Sequence, residues 1–419
     1  MSGAISGSNG VTFTGTSDVE SVVFVVQGDN PFTGQLTINS GTVRFLSAAN
    51  LGADSSDIVI NDAQLEYSGV DAFTLARSVR TTGWQSTLGS SGGPLTFAGA
   101  ISGPASVRTK GDVTFASANR YSGYTAVVGR LTFSDDAVFG LSPLIQLVAS
   151  QFGGNSGVLR LTAPWTTART ISIAGVYDSA IDTNGFDARL DGPLQSEPTT
   201  SKLVKTGLGT LQITDASEFY GGLEVSGGRL EINGQMQPGN VRARAGGTIG
   251  GGGNTGRFFG VDPAGELDPG DLATPATLSG TGFFLSNAST SHFDLASATA
   301  FDQVKANGTI WLDGLVTLSL SLDYDPQDGV DSFILFDNDG TDPIAGTNPH
   351  HFAVDGVEID EGGLFTTDGQ EFRLSYVGGD GNDVTIMAVP EPAAGGLCVT
   401  GVVAMIAGLR SRRRSALTK

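Results

Sequence analysis

Three histidines, His292, His350 and His351, and a dense supply of carboxylates are the residues of this chain whose chemistry could reach beyond packing. Metal binding or acid–base work by histidine needs several side chains converging on one point. On a strand, the adjacent pair His350-His351 would send its rings to opposite faces, so no zinc site and no catalytic triad is expected. Asp135-Asp136 and Asp380 with Asp383 have the composition that glycoside hydrolysis uses, two carboxyl groups across a sugar. With 43 Asp and Glu in 419 residues such pairs arise by chance, so they read as solvated surface and no catalytic residue is assigned. The lone cysteine, Cys398, sits in an apolar run and reads as a small apolar filler.

A better-defined candidate is Gly378-Gly379-Asp380-Gly381-Asn382-Asp383. It fits the Gly-Gly-x-Gly-x-Asp pattern in which tandem glycine turns present oxygens to Ca²⁺. One copy supplies too few oxygens for a closed cage. The segment therefore reads first as a glycine turn between Tyr376 and a strand at Val384, with Asp380 and Asp383 as weak calcium ligands and Ca²⁺ as the sole cofactor considered. Asp323-x-Asp325-x-x-Asp328 and Asp337-Asn338-Asp339 miss the spacing of an EF-hand loop.

The elements that must carry these groups are strands. Apolar residues fall at every second position in Phe32-x-Gly34-x-Leu36-x-Ile38-x-x-Gly41-x-Val43-x-Phe45, and the same pattern returns as Phe219-x-Gly221-x-Leu223-x-Val225-x-x-Gly228-x-Leu230-x-Ile232. A middle copy, Tyr121-x-Gly123 to Gly129-x-Leu131-x-Phe133, is one residue short. Period-2 alternation puts the apolar set on one face of a strand, and the glycine between two runs marks a corner that needs positive φ or close backbone approach. Leu36, Ile38, Val43, Phe45, Val127, Leu131, Phe133, Leu211, Ile213, Leu223, Val225, Leu230 and Ile232 are expected to point inward. Gly3-Ala4-Ile5-Ser6-Gly7 recurs as Gly99-Ala100-Ile101-Ser102-Gly103, with a degenerate copy from Gly192. Self-similarity at this period indicates stacked modules that share one core. The expected units are 1–98, 99–191 and 192–285, followed by terminal β coils and a cap over 286–388, which shields the open strand edges.

In the third unit, Leu203-Val204-Lys205-Thr206-Gly207-Leu208-Gly209-Thr210-Leu211-Gln212-Ile213 precedes the aromatic-x-Gly motif and Gly228-Arg229-Leu230. This resembles the autotransporter-associated β-strand repeat. The middle unit matches more loosely through Lys110-Gly111-Asp112-Val113 and Tyr121-Ser122-Gly123, and the first has Gly10-Val11-Thr12-Phe13 in place of the Lys-Gly element. Leu267-Asp268-Pro269-Gly270 resembles the turn that closes such arrays. The resemblance implies an all-β, right-handed parallel β-helix of the kind found in the passengers of secreted bacterial proteins.

The C-terminus is an address. Val389-Pro390-Glu391-Pro392 leads into 17 uncharged residues, Ala393 to Leu409, and then Arg410, Arg412, Arg413 and Arg414. At ~1.5 Å per helical residue such a run covers roughly 25 Å, enough to cross a bilayer as one transmembrane helix with the arginines on the cytoplasmic side. The order of parts in 389–419 resembles the PEP-CTERM sorting signal of Gram-negative bacteria, which implies a membrane-bound processing enzyme as partner. The membrane itself is then a partner through Ala393 to Leu409 before processing. A plain single-span anchor is the alternative. No basic n-region opens the chain, since the first Lys or Arg is Arg44, so the start reads as internal to a longer precursor.

A net charge of −20 disfavours nucleic acid and anionic membrane surface as partners. Two function classes remain. The first is an exported structural or adhesive protein of the cell surface or matrix, with extracellular polysaccharide or matrix as ligand class and no enzymatic activity. The second is a polysaccharide-active enzyme on a β-helix, which rests on fold analogy. A carboxylate-and-arginine groove on one face would favour the second.

Overall fold

The computed structural model describes residues 3–15, 22–53, 56–149, 156–175, 177–196, 202–215, 219–236, 239–271, 274–339, 342–347 and 350–390. The apolar run Ala393 to Leu409, with Glu391, Pro392 and the terminal arginines, lies outside the described residues. Within them no helix is long and apolar enough to cross a membrane. Pro390 is described and exposed.

The chain winds into a three-sided parallel β-solenoid. Its first face begins as the ladder Val11–Phe13, Leu36–Asn39, Ile58–Asn61, Val79–Thr82, Ile101–Gly103 and Arg120–Tyr121. It resumes from Trp165–Thr167 through Ala188–Leu190, Thr210–Ile213, Gly228–Ile232 and Gly247–Gly250 to Val316–Leu322 and Phe352–Val354. A 3-10 turn, Asp136–Phe139, occupies the break, and Leu141 N–H donates to the Tyr121 carbonyl across it. The other two faces carry ladders of their own, joined where one long strand turns a corner. Ser106–Phe115 is such a strand, for its first half pairs with Gln85–Ser90 and its second with Leu95–Phe97.

Glycine makes these corners. Gly129 has φ +95°, and a Cβ there would lie 2.4 Å from the Gly111 carbonyl oxygen of the coil below. Gly41 and Gly228, at the same motif position, also have positive φ. Between corners, alternation buries every second side chain. All thirteen residues expected to point inward do so, none more than 2 % exposed. A buried Leu or Ile of this kind contributes about 1.5–3 kcal/mol relative to exposure.

The three motif copies do not stack on one another. The first turns from the first face to the second, the middle copy from the second to the third, and the last from the third back to the first. The motif therefore encodes strand–corner–strand and not a particular face. Coil length decides where each copy lands, and it ranges from the 18 residues between partners Lys110 and Val128 to the 36 between Val316 and Phe352.

Lys205 explains the lysine of the third unit. Its side chain is buried, and Nζ donates to the carbonyls of Thr206 (3.1 Å), Gly207 (2.6 Å) and Gly227 (2.8 Å), closing the corner of two successive coils. Burial lowers its pKa to about 8, against the opposing pull of Asp182 and Asp187.

Past Ala345–Thr347 one parallel pairing remains, Phe352–Val354 on Val316–Leu322, and the others are antiparallel. Phe352–Val354 and Val357–Ile359 form an antiparallel hairpin, and Leu364–Thr367, Gln370–Gly378, Asp383–Val389 and Ser332–Asp337 form an antiparallel sheet. This segment closes the terminal strand edges, as the exposed ladder of a solenoid requires.

Candidate functional site

On the first face, three strands bring Arg189, Gln212 and Glu231 into one outward column, because each is the in-register partner of the next. Arg189 Nη1 donates to Gln212 Oε1, and Gln212 Nε2 donates to Glu231 Oε2 at 3.1 Å. Arg229 Nε donates to Glu231 Oε1 at 2.9 Å, and Arg229 also grips the Asp268 carboxylate and the carbonyls of Asp268 and Gly270 (3.0 and 2.7 Å). The Leu267-Asp268-Pro269-Gly270 turn thus covers Arg229, which explains why an outward arginine and its Glu231 partner are both buried. Gly250 makes room for this, since a Cβ there would lie 2.2 Å from Arg229 Nη2.

Beside this column runs a groove of about 440 Å³, lined by Trp165, Asp187, Arg189, Gln212, Glu231 and Asp271. A smaller hollow of about 320 Å³ adjoins it around Thr210, Thr248 and Glu266. The groove combines arginine and carboxylates, although the basic residues look scattered in the sequence. Its acids are already committed, however: Asp187 caps the Thr210 N–H (2.8 Å), Asp271 the Thr274 N–H (2.7 Å), and Glu231 is held by Gln212 and Arg229. Trp165 forms the floor, 3 % exposed, with its ring 5.0 Å from Phe133.

Asp135 and Asp136 serve structure. Asp135 caps the 3-10 turn through the Ala137 N–H (2.7 Å), while Asp136 accepts from Trp165 Nε1 (3.1 Å) and Arg169 Nε (3.0 Å).

On the third face, at the level of the last coils, aromatics point outward. Phe284 and Trp311 are register partners with rings 6.4 Å apart and nearly parallel at 7°. Phe258 beside them is 53 % exposed, and Gly282 leaves space for its ring.

The histidines are less isolated than their sequence positions suggest. His292 Nε2 lies 3.2 Å from Asp294 Oδ1 and 3.1 Å from Ser321 Oγ, and Asp268 completes a group of three potential metal ligands. Burial pushes the Asp268 carboxyl up despite Arg229. Behind it Asp302, fully buried, accepts from the Ala276 and Asp294 N–H groups, and burial raises its pKa to about 7, assisted by Asp294 and Asp268. The expectation that His350 and His351 face opposite ways is corrected. They precede the strand at Phe352, so strand alternation does not apply, and their rings stand 5.2 Å apart. His351 joins Glu358 (2.6 Å) and Asp360 (3.5 Å) across the terminal hairpin. The spacing His292-x-Asp294 on one strand was the signal available for the first cluster; nothing local announced Asp268.

Asp380 is exposed and Asp383 buried, in a tight antiparallel turn in which Gly378 pairs with Asp383. Asp383 Oδ1 accepts the Asn338 N–H at 2.8 Å.

Two comparisons bear on this architecture. The family model for the passenger-associated-transport-repeat matches residues 23–45 and 203–232, two of the strand–corner–strand segments described above. The chain is also 33 % identical over 139 residues to a protein of Brucella suis biovar 1 (strain 1330) named "Adhesin BmaC autotransporter"; the match covers 32 % of this chain and 4 % of that much longer protein. The chain is thus an all-β parallel solenoid, two segments of which match the autotransporter-associated repeat.

Proposed function

We propose that this chain is an adhesive, non-enzymatic module of a Gram-negative cell surface or matrix, which grips an extracellular polysaccharide along the outside of its solenoid. The observation that carries the reading is the coincidence of the repeat match, at 23–45 and 203–232, with the coils that build the solenoid. The outward aromatics Phe258, Phe284 and Trp311 support a sugar ligand, because flat rings offer stacking surface while the arginine–glutamine–glutamate column offers hydrogen bonds. The carboxylate-and-arginine groove on the first face favours the second reading, a polysaccharide-active enzyme. Against it, Asp187, Asp271 and Glu231 each already accept a hydrogen bond that holds the fold together.

Export follows from the tail in this reading. Residues 389–419 insert, the sorting enzyme reads Pro390, Glu391 and Pro392, and the β body is released to the surface. Replacing these three by alanine leaves an inserted, unprocessed precursor. Mass spectrometry of surface protein from a native host decides the point, since mature protein still carrying Arg412, Arg413 and Arg414 would make the tail an anchor alone.

For adhesion, the purified protein is passed over immobilised polysaccharides from the host's own matrix. Retention that falls roughly tenfold in Phe284→Ala with Trp311→Ala, equivalent to about 1.4 kcal/mol, supports the reading. Release of shortened sugar chains into solution would instead establish the enzyme.

A further inference from the structure

The glycine turn after Gln370–Gly378 lies against the loop that follows Ser332–Asp337, and the two segments bring together more acceptors than donors. Asn338 and Asn382, 1 % and 6 % exposed, both hang their side-chain NH₂ on one carbonyl, Asp342 O, at 2.6 and 2.8 Å. That shared acceptor fixes which end of each amide is nitrogen and sets the two amides side by side. Their oxygens, Asn338 Oδ1 and Asn382 Oδ1, are buried with no hydrogen-bond partner among the described residues. Buried amide oxygens rarely stay unmet, because desolvation without a partner costs free energy.

The carboxylates follow the same bias. Asp383, the residue after Asn382, binds the Asn338 N–H through Oδ1, and its other oxygen sits over Gly379, where a Cβ would be 1.7 Å away. Burial pushes the Asp383 carboxyl up, and the negative charges of Asp380 and Asp337 push it further, against the pull of backbone N–H donors. Lys305 is paired with Asp337 at 2.7 Å from an exposed position. Residues 306–390 hold 16 Asp and Glu against one basic residue, Arg373.

We propose that this junction binds one Ca²⁺ ion through Asp383, Asp380 and the amide oxygens of Asn338 and Asn382, with water completing the shell, and that the ion clamps the terminal turn to the last coil. The donor set is all oxygen and mixes carboxylates with amide carbonyls, the choice of a hard cation. One half-site of the glycine pattern is too small alone; here a second segment, 45 residues upstream of Asp383 at Asn338, supplies the missing oxygens.

The test is calorimetric titration of the full chain with CaCl₂, with thermal melts in Ca²⁺ and in EGTA. One saturable site with a Kd on the order of 10⁻⁴ to 10⁻³ M is expected, as in extracellular modules. Saturation should raise Tm on the order of 2–4 °C. Asp380→Asn, at an exposed position that leaves the fold intact, and Asn382→Ala should each abolish the heat and the shift. A flat titration with unchanged melts would mean that the amide oxygens are met by water, and would overturn the proposal. Binding that persists in both variants but disappears in Asp268→Asn or His351→Ala would place the ion at one of the histidine clusters and overturn it equally.

Discussion

The solenoid body and its C-terminal cap treat charge in opposite ways. In the body, charges pair from coil to coil, as in Arg44–Glu66 (2.8 Å), Arg242–Asp262 (2.6 Å) and Arg244–Glu224 (2.7 Å), because parallel strands bring either the register partner, as for Arg44, or the next outward position, as for Arg242 and Arg244, beside each charge. In the cap, pairing is antiparallel, and over 306–390, the last coils and the cap together, acids outnumber bases sixteen to one. A repeated register thus lets one arginine serve the coil above and the coil below. The cap has no such column, and its carboxylates rely on backbone N–H groups, as Asp383 does with Asn338.

The largest expected effect breaks the body at its most committed charge. Arg229→Met should cost about 3–5 kcal/mol, because buried Glu231 and half-buried Asp268 are left without their cation; a denaturant melt equal to the parent would show that the column is ornamental. Leu230→Ala, 1 % exposed and stacked between Leu211 and Ile249, should cost about 2–5 kcal/mol in the same assay. Removing an exposed rung of the same design, Arg130→Ala beside Asp112, should change stability by about 1 kcal/mol or less, which separates buried from decorative pairs.

A smaller effect is read by pH. Asp302 has a folded pKa of about 7, above its ordinary 3.8, so the folded chain holds a proton that the unfolded chain has lost. Its contribution to stability is therefore full below about pH 4 and lost as pH rises through 7. Melts between pH 4.5 and 7.5 should show this fall in the parent, and Asp302→Asn should flatten it; equal slopes would remove Asp302 from the account.

Much of the body was legible in the sequence. Alternation around Gly41, Gly129 and Gly228 identified the inward set and the corners because both are local: a strand's faces depend on parity and a corner on one residue's φ. The face on which each repeat lands was not legible, since loops of differing length set the coil phase. The polar column was hidden for the same reason: Arg229 reaches Gly270, 41 residues away. In the cap, the glycine turn was readable, whereas its partner Asn338 lies 45 residues from Asp383 on an antiparallel return with no repeat to announce it.

The central claim is the parallel register, and paired cysteines test it most directly. In a Cys398→Ser background, Thr114→Cys with Thr132→Cys places thiols on in-register neighbours of successive coils, about 4.8 Å apart. That separation is within disulfide range. Thr114→Cys with Arg160→Cys spans two rungs, about 10 Å, and lies beyond it. The account predicts rapid, near-complete oxidation of the first pair and none of the second; efficient closure of the second, or failure of the first, would contradict the solenoid described.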